Sequence, residues 1–97
     1  LAALGSEGIL INIARGQVVD EDALIAALRA GTIRGAGLDV FNEEPTPAKR
    51  WADVPRCVLT PHIAGATRDA LQAIPGMVLE NVRRFYAGEP LASEVKP

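Results

Sequence analysis

Apolar residues cluster in three short runs along the chain, separated by stretches of helical spacing or of loop composition. The first, "GILINIA" (Gly8 to Ala14), is almost continuously apolar, which predicts a strand buried on both faces, as in a parallel sheet covered by helices. In the following "VVDEDALIAALRAG", Ala23, Leu24, Ala27 and Leu28 recur at the spacing of one helix face. Asp20 is placed to cap this helix, Glu21 and Asp22 put negative charge in its first turn, and Val19 can staple onto Leu24. Arg29 falls in the last turn and Gly31 stops the helix. "GAGLDVF" (Gly35 to Phe41) predicts a second strand, whose small residues let neighbouring backbone approach closely.

Next comes "NEEPTPAKRWADVPR", a loop stretch with three prolines and room for a short helical turn near Ala48 to Trp51. "CVLT" (Cys57 to Thr60) predicts a third strand, closed by Pro61. From Thr67, a suitable N-cap, a long helix is expected to run toward Tyr86 and to end at Gly88 and Pro90. Leu71, Ile74, Val78, Val82 and Phe85 form its expected buried stripe, and Pro75-Gly76 predicts a kink or break. Strand, helix and strand make a βαβ unit with parallel strands and a right-handed crossover. The fold class is therefore α/β: about three strands and two main helices, the C-terminal half of a Rossmann-like doubly wound parallel sheet.

Composition narrows the function classes. The 97 residues allow one small domain at most, and 48% hydrophobic with 23% charged residues suits an ordinary soluble globular protein. A net charge of −2 gives no footprint for nucleic acid or an anionic membrane, and no apolar run reaches the ~18–20 residues of a membrane span. The single cysteine, Cys57, rules out an internal disulfide and fits a cytoplasmic protein. The chain opens without a methionine and is expected to be a piece of a larger protein.

In open parallel α/β sheets, ligands bind beyond the carboxyl ends of the strands. Arg15 follows the first predicted strand, Asp39 ends the second with Glu44 five residues on, and His62, the only histidine, follows the third. All four groups thus fall on one sheet edge. Individually each has a plainer reading: a solvated arginine, a hydrogen-bonded structural aspartate, an exposed loop carboxylate, a structural histidine. Together they suggest chemistry. A carboxylate beside an imidazole fixes its tautomer and frees the other ring nitrogen for a substrate proton. A guanidinium grips a carboxylate through two parallel hydrogen bonds. Gly16 permits a sharp turn that aims Arg15 over the edge. Arginine, carboxylate and histidine around a crevice suit the interconversion of an alcohol and a ketone beside a carboxylate. Trp51, Cys57, Met77 and Tyr86 read as structural.

"INIARGQVVDEDALIAAL", "GAGLDVFNEEP" and "LTPHIAGAT", in this order, resemble the C-terminal half of the NAD-binding domain of the D-isomer-specific 2-hydroxyacid dehydrogenases. The family includes glyoxylate/hydroxypyruvate reductases and D-3-phosphoglycerate dehydrogenase, and the resemblance runs from about Leu4 to Val95. It implies catalytic roles for Arg15 (substrate carboxylate and carbonyl), Glu44 (partner of the histidine) and His62 (acid/base). It also implies cofactor contacts from Ala14, Arg15, Asp39, His62, Ala64 and Gly65, with NAD or NADP as cofactor and no metal. A small 2-keto or 2-hydroxy acid is the implied substrate, and a homodimer the implied assembly, without nucleic-acid or membrane partners. No GxGxxG phosphate loop, no acidic residue for the ribose and no substrate domain is present; all are expected upstream of residue 1. Residues 1–97 are accordingly expected to be a partial NAD(P)-binding domain, inactive alone. An alternative is an NAD-sensing co-repressor of the same fold, similar to the C-terminal-binding proteins. The "HIAGAT" stretch favours the metabolic enzymes, since those co-repressors carry an aromatic residue soon after the histidine.

Overall fold

A computed structural model of the chain describes residues 1–96. They form two compact units, the first spanning Leu1–Ala64 and the second starting at Gly65. In the first unit, strands β1 (Ile9–Asn12), β2 (Gly35–Leu38) and β3 (Cys57–Leu59) make one sheet in the order β1-β2-β3. Both pairings are parallel, with Asn12 opposite Leu38 and Leu38 opposite Leu59, so the carboxyl ends of all three strands share one edge.

Helix α1 (Glu21–Ala30) forms as its sequence dictates. The Asp20 side chain accepts the Ala23 amide, and Gly31 closes the helix in the left-handed conformation at φ 69°. Leu24 and Leu28 are fully buried and, with Ile25, Ile33, Leu38, Phe41 and Trp51, make the core between α1 and one face of the sheet. Each such leucine contributes roughly 1.5–3 kcal/mol by leaving water. Val19 packs against the same cluster, as a hydrophobic staple would. The short helix α2 (Ala48–Trp51) delivers Trp51 edge-on to Phe41, with ring centroids 5.8 Å apart, and its indole N–H donates to Thr46.

The opposite face of the sheet differs from expectation. Rather than being buried on both faces, β1 alternates: Ile9 and Ile11 are exposed while Asn12 is buried. With Val58 of β3 they leave an apolar face open, because α1 and the loops pack on one side only. The glycines of β2 do allow close approach: a Cβ on Gly37 would press on the Ile11 side chain, and one on Gly35 would meet the Arg56 carbonyl.

The second unit is built on α3 (Arg68–Ala87), capped by the Thr67 side chain on the Ala70 amide and closed by left-handed Gly88. Of the kink or break expected at Pro75-Gly76, no break occurs: Pro75 lies inside one continuous helix. The proline removes one hydrogen bond, to the carbonyl of Leu71, and that residue is exposed, so water can take the bond's place. Nor is the apolar stripe buried: Leu71, Ile74, Val78, Val82 and Phe85 are all exposed among the described residues. Periodicity marks a face suited to burial but does not supply the surface that would cover it. The helix end is tied locally, with Arg83 and Arg84 on Glu80, Arg83 also on Glu89, and Asn81 accepting the Ala92 amide. No helix among the described residues is long and apolar enough to cross a membrane.

Candidate active site

Three turns at the carboxyl edge of the sheet carry the candidate residues. The first is held by Asn12, the last residue of β1 and only 5% exposed. Its amide nitrogen donates to the Arg15 carbonyl at 3.0 Å and its side-chain oxygen accepts the Ala14 amide at 3.1 Å, bracketing the Ala14–Arg15 turn. Arg15 itself is exposed and extended, at φ −145°. Gly16 matters here for a reason other than turn geometry. A Cβ at that position would overlap the Phe41 carbonyl group and crowd the Asn42 nitrogen, so only glycine lets these two turns touch.

The second turn follows β2. Asp39 is 3% exposed and fully engaged: Oδ1 accepts the Thr60 hydroxyl and the Ile63 amide, and Oδ2 accepts the Ala64 amide at 2.8 Å. The Thr60 hydroxyl above all, then the amides of Ala64 and Ile63 and the nearby His62 ring, hold its carboxyl below the usual 3.8. Of the two roles the sequence leaves open for a buried aspartate, these bonds display the structural one. Five residues on, Glu44 turns back so that Oε1 accepts the Phe41 amide at 2.9 Å.

The third turn carries His62, whose backbone is left-handed at φ 53°. Such a conformation is uncommon outside glycine, although histidine tolerates it better than most residues. It is held by the His62 amide on the Thr60 carbonyl and by Asp39 on the next two amides. The ring is about half exposed, and Nδ1 lies 2.7 Å from Oε2 of Glu44. The His62 hydrogen bond leads, with the Phe41 amide and the charge of Arg15 adding to it, in lowering the Glu44 carboxyl below its usual 4.5. Arg15, Gly16, Asn42, Glu44 and His62 line a single hollow of about 190 Å³. The structure therefore brings together the arginine, glutamate and histidine singled out in the sequence.

Two residues of this edge escape a reading by sequence. Asn12 lies within an isoleucine run, where one polar residue was the available signal. Glu21 looks like an ordinary first-turn acid, yet it is 5% exposed and bonded to Asn42 and Arg50. Ala14 and Ala64 are exposed beside the site turns. Gly65, the first residue of the second unit, has no atom within 4 Å of where a Cβ would stand.

A model of the D-isomer specific 2-hydroxyacid dehydrogenase NAD binding domain matches residues 1–64, the unit that holds these turns. The chain belongs to that family. It is 52% identical over 81 residues to a glyoxylate reductase of Pyrococcus furiosus, covering 84% of this chain and 24% of that protein. To a glycerate dehydrogenase of Methylorubrum extorquens it is 44% identical over 93 residues, covering 93% and 30%. Among solved structures, an NADPH-dependent glyoxylate/hydroxypyruvate reductase of Sinorhizobium meliloti, in complex with NADP and malonate, superposes with a TM-score of 0.86. That match has 40% identity over 97% of this chain and 30% of that one. The family member thus spans less than a third of the length of these relatives.

Proposed function

We propose that this member of the family carries the acid/base end of an NAD(P)-dependent oxidoreductase, one that interconverts a 2-keto acid and a D-2-hydroxy acid in the whole protein. The observation that carries this reading is the 2.7 Å contact of His62 Nδ1 with Glu44 Oε2 in the hollow that Arg15 also lines. A carboxylate can only accept, so Nδ1 carries a proton and Nε2 is left for the substrate. In reduction the protonated ring donates from Nε2 to the carbonyl oxygen; in oxidation the neutral ring takes the hydroxyl proton. Arg15 would grip the substrate carboxylate with its fork and hold the reacting carbon in place.

The site's chemistry fits the cofactor that the family model implies. Ala14 and Ala64 are small and exposed, so neither blocks a flat ring. These residues, with Arg15, Asp39 and His62, would hold the nicotinamide end, Asp39 chiefly by fixing Ala64. NAD(P)H, when bound, supplies the hydride. The names of the relatives, glyoxylate reductase and glycerate dehydrogenase, point to two- and three-carbon acids as the first substrates to assay.

In the whole protein, His62→Ala should lower turnover of glyoxylate or hydroxypyruvate about 10²–10⁴-fold, the usual range for a lost general acid. NADPH binding, followed by fluorescence, should weaken far less than turnover falls. Turnover that survives the substitution would remove His62 from the mechanism. Arg15→Lys should raise the KM for the keto acid; an unchanged KM and kcat would mean that Arg15 is not the clamp.

A further inference from the structure

The chemistry above leaves one buried carboxylate, Glu21, without a part. It stands in the first turn of α1, where an acid is normally solvated, yet it is 5% exposed. Oε2 accepts Nε of Arg50 at 2.9 Å, and Oε1 accepts the Asn42 amide at 2.7 Å. The Arg50 bond ties α1 to α2, but Asp22, which is well exposed, already makes such a tie to Arg50 Nη2 at 2.8 Å. A tie between helices alone would not require burying a second carboxylate, which is costly unless it is fully bonded.

The Asn42 bond has a more specific consequence. Asn42 shares a peptide plane with the Phe41 carbonyl, and that carbonyl is the group pressed against Gly16, beside Arg15. The Phe41 amide holds Oε1 of Glu44, whose Oε2 meets Nδ1 of His62. Clamping the Phe41–Asn42 peptide therefore fixes the surface on which the Arg15 turn rests, and it anchors Phe41, whose N–H in the adjoining Val40–Phe41 peptide supports Glu44. We propose that Glu21 is a positioning residue for the Arg15–Glu44–His62 site, acting through the Asn42 amide to orient the Glu44 carboxylate and so to select the protonated nitrogen of His62. This inference rests on the function proposed above, but its first test needs neither cofactor nor substrate.

In the 97-residue chain His62 is the only histidine, so its ring nitrogens give an unambiguous ¹⁵N signature of tautomer. The neutral ring should be mostly Nδ1–H in the original chain. Glu21→Ala should shift the majority to Nε2–H, the form favoured by an unpartnered imidazole. Glu21→Gln should keep Nδ1–H, because its amide oxygen still accepts from Asn42, and so should Arg50→Ala, which leaves that bond in place. A purely structural role would lower the unfolding temperature in Glu21→Ala and Arg50→Ala alike while leaving the tautomer of the folded molecules unchanged. A folded Glu21→Ala chain that stays Nδ1–H overturns the proposal. Should the alanine variant not fold, Glu21→Asp keeps the charge but shortens the reach, and the same two outcomes apply.

In the whole protein, Glu21→Ala should lower kcat/KM for glyoxylate about tenfold, with Glu21→Gln within about twofold of the original. If the whole protein shows no reductase activity, the function reading fails while the tautomer result stands. If activity is present but the tautomer ignores Glu21, the positioning role fails alone.

Discussion

Gly16 lies against the Phe41 carbonyl so closely that no side chain fits between them. The contact joins the turn bearing Arg15 to the turn bearing Glu44, which are separate in sequence but adjacent at the sheet edge. Gly16→Ala should therefore cost about 1–3 kcal/mol, the usual range for overpacking a tight site. Urea unfolding would measure it. Gly65→Ala is the control: its added methyl meets open space, and stability should change by less than about 0.5 kcal/mol. Equal effects of the two substitutions would contradict the close approach.

The role of Asp39 can be separated from that of a simple buried charge. Asn at this position keeps one accepting oxygen but turns an NH2 toward the Thr60–Ala64 turn, so one of the three donors bonded to Asp39 faces another donor. Asp39→Asn should speed amide hydrogen exchange at Ile63 or Ala64 about tenfold and lower turnover in the whole protein. Exchange that stays at its original rate at both amides would show that the turn holds without the aspartate.

Acid should act on the site through Glu44. Its carboxyl is lowered below 4.5, first by the His62 hydrogen bond, then by the Phe41 amide and the charges of His62 and Arg15. For a depressed carboxylate, the stabilisation is fully present above the unfolded value and is lost as pH falls through the folded value. A ¹³C carboxyl titration should place the Glu44 midpoint below 4.5 and move it back up in His62→Ala. A midpoint indifferent to His62 would contradict the pairing.

The end of α3 provides a second acid response. Arg83 and Arg84 hold the Glu80 carboxyl down to about 2 from its usual 4.5, Arg83 being the larger influence. The contribution of this cluster should be complete above 4.5 and disappear as pH falls through about 2. Glu80→Gln should lower the thermal midpoint at neutral pH, followed by circular dichroism at 222 nm as a probe of helix. Below pH ~2 the two chains should converge, since neither then carries the charge. A constant difference across the range would mean that the ion pairs contribute nothing.

What the sequence makes legible follows from how local each signal is. α1 is readable because its cap, stripe and stopping glycine all lie within a dozen residues and agree. The parallel order of the strands follows from the βαβ pattern, and the sheet edge then places Arg15, Glu44 and His62 together. The face of β1 and the stripe of α3 are another matter, because burial depends on a second surface that a hydrophobic pattern does not specify. Pro75 misleads for a related reason: a lost hydrogen bond breaks a helix only where nothing else can satisfy the freed carbonyl. Asn12 and Glu21 stay hidden because their importance lies in partners: a turn's backbone for one, and groups 21 and 29 residues away for the other.

The left-handed backbone of His62 sets which replacements the scaffold can absorb. Asparagine and glycine adopt that conformation readily, whereas valine or isoleucine would resist it. Asparagine at this position should therefore remove the proton carrier of the proposed reaction while leaving the turn's shape intact. The demands of the backbone and those of the imidazole are separable at this position, so a single substitution can take away the ring and spare the turn.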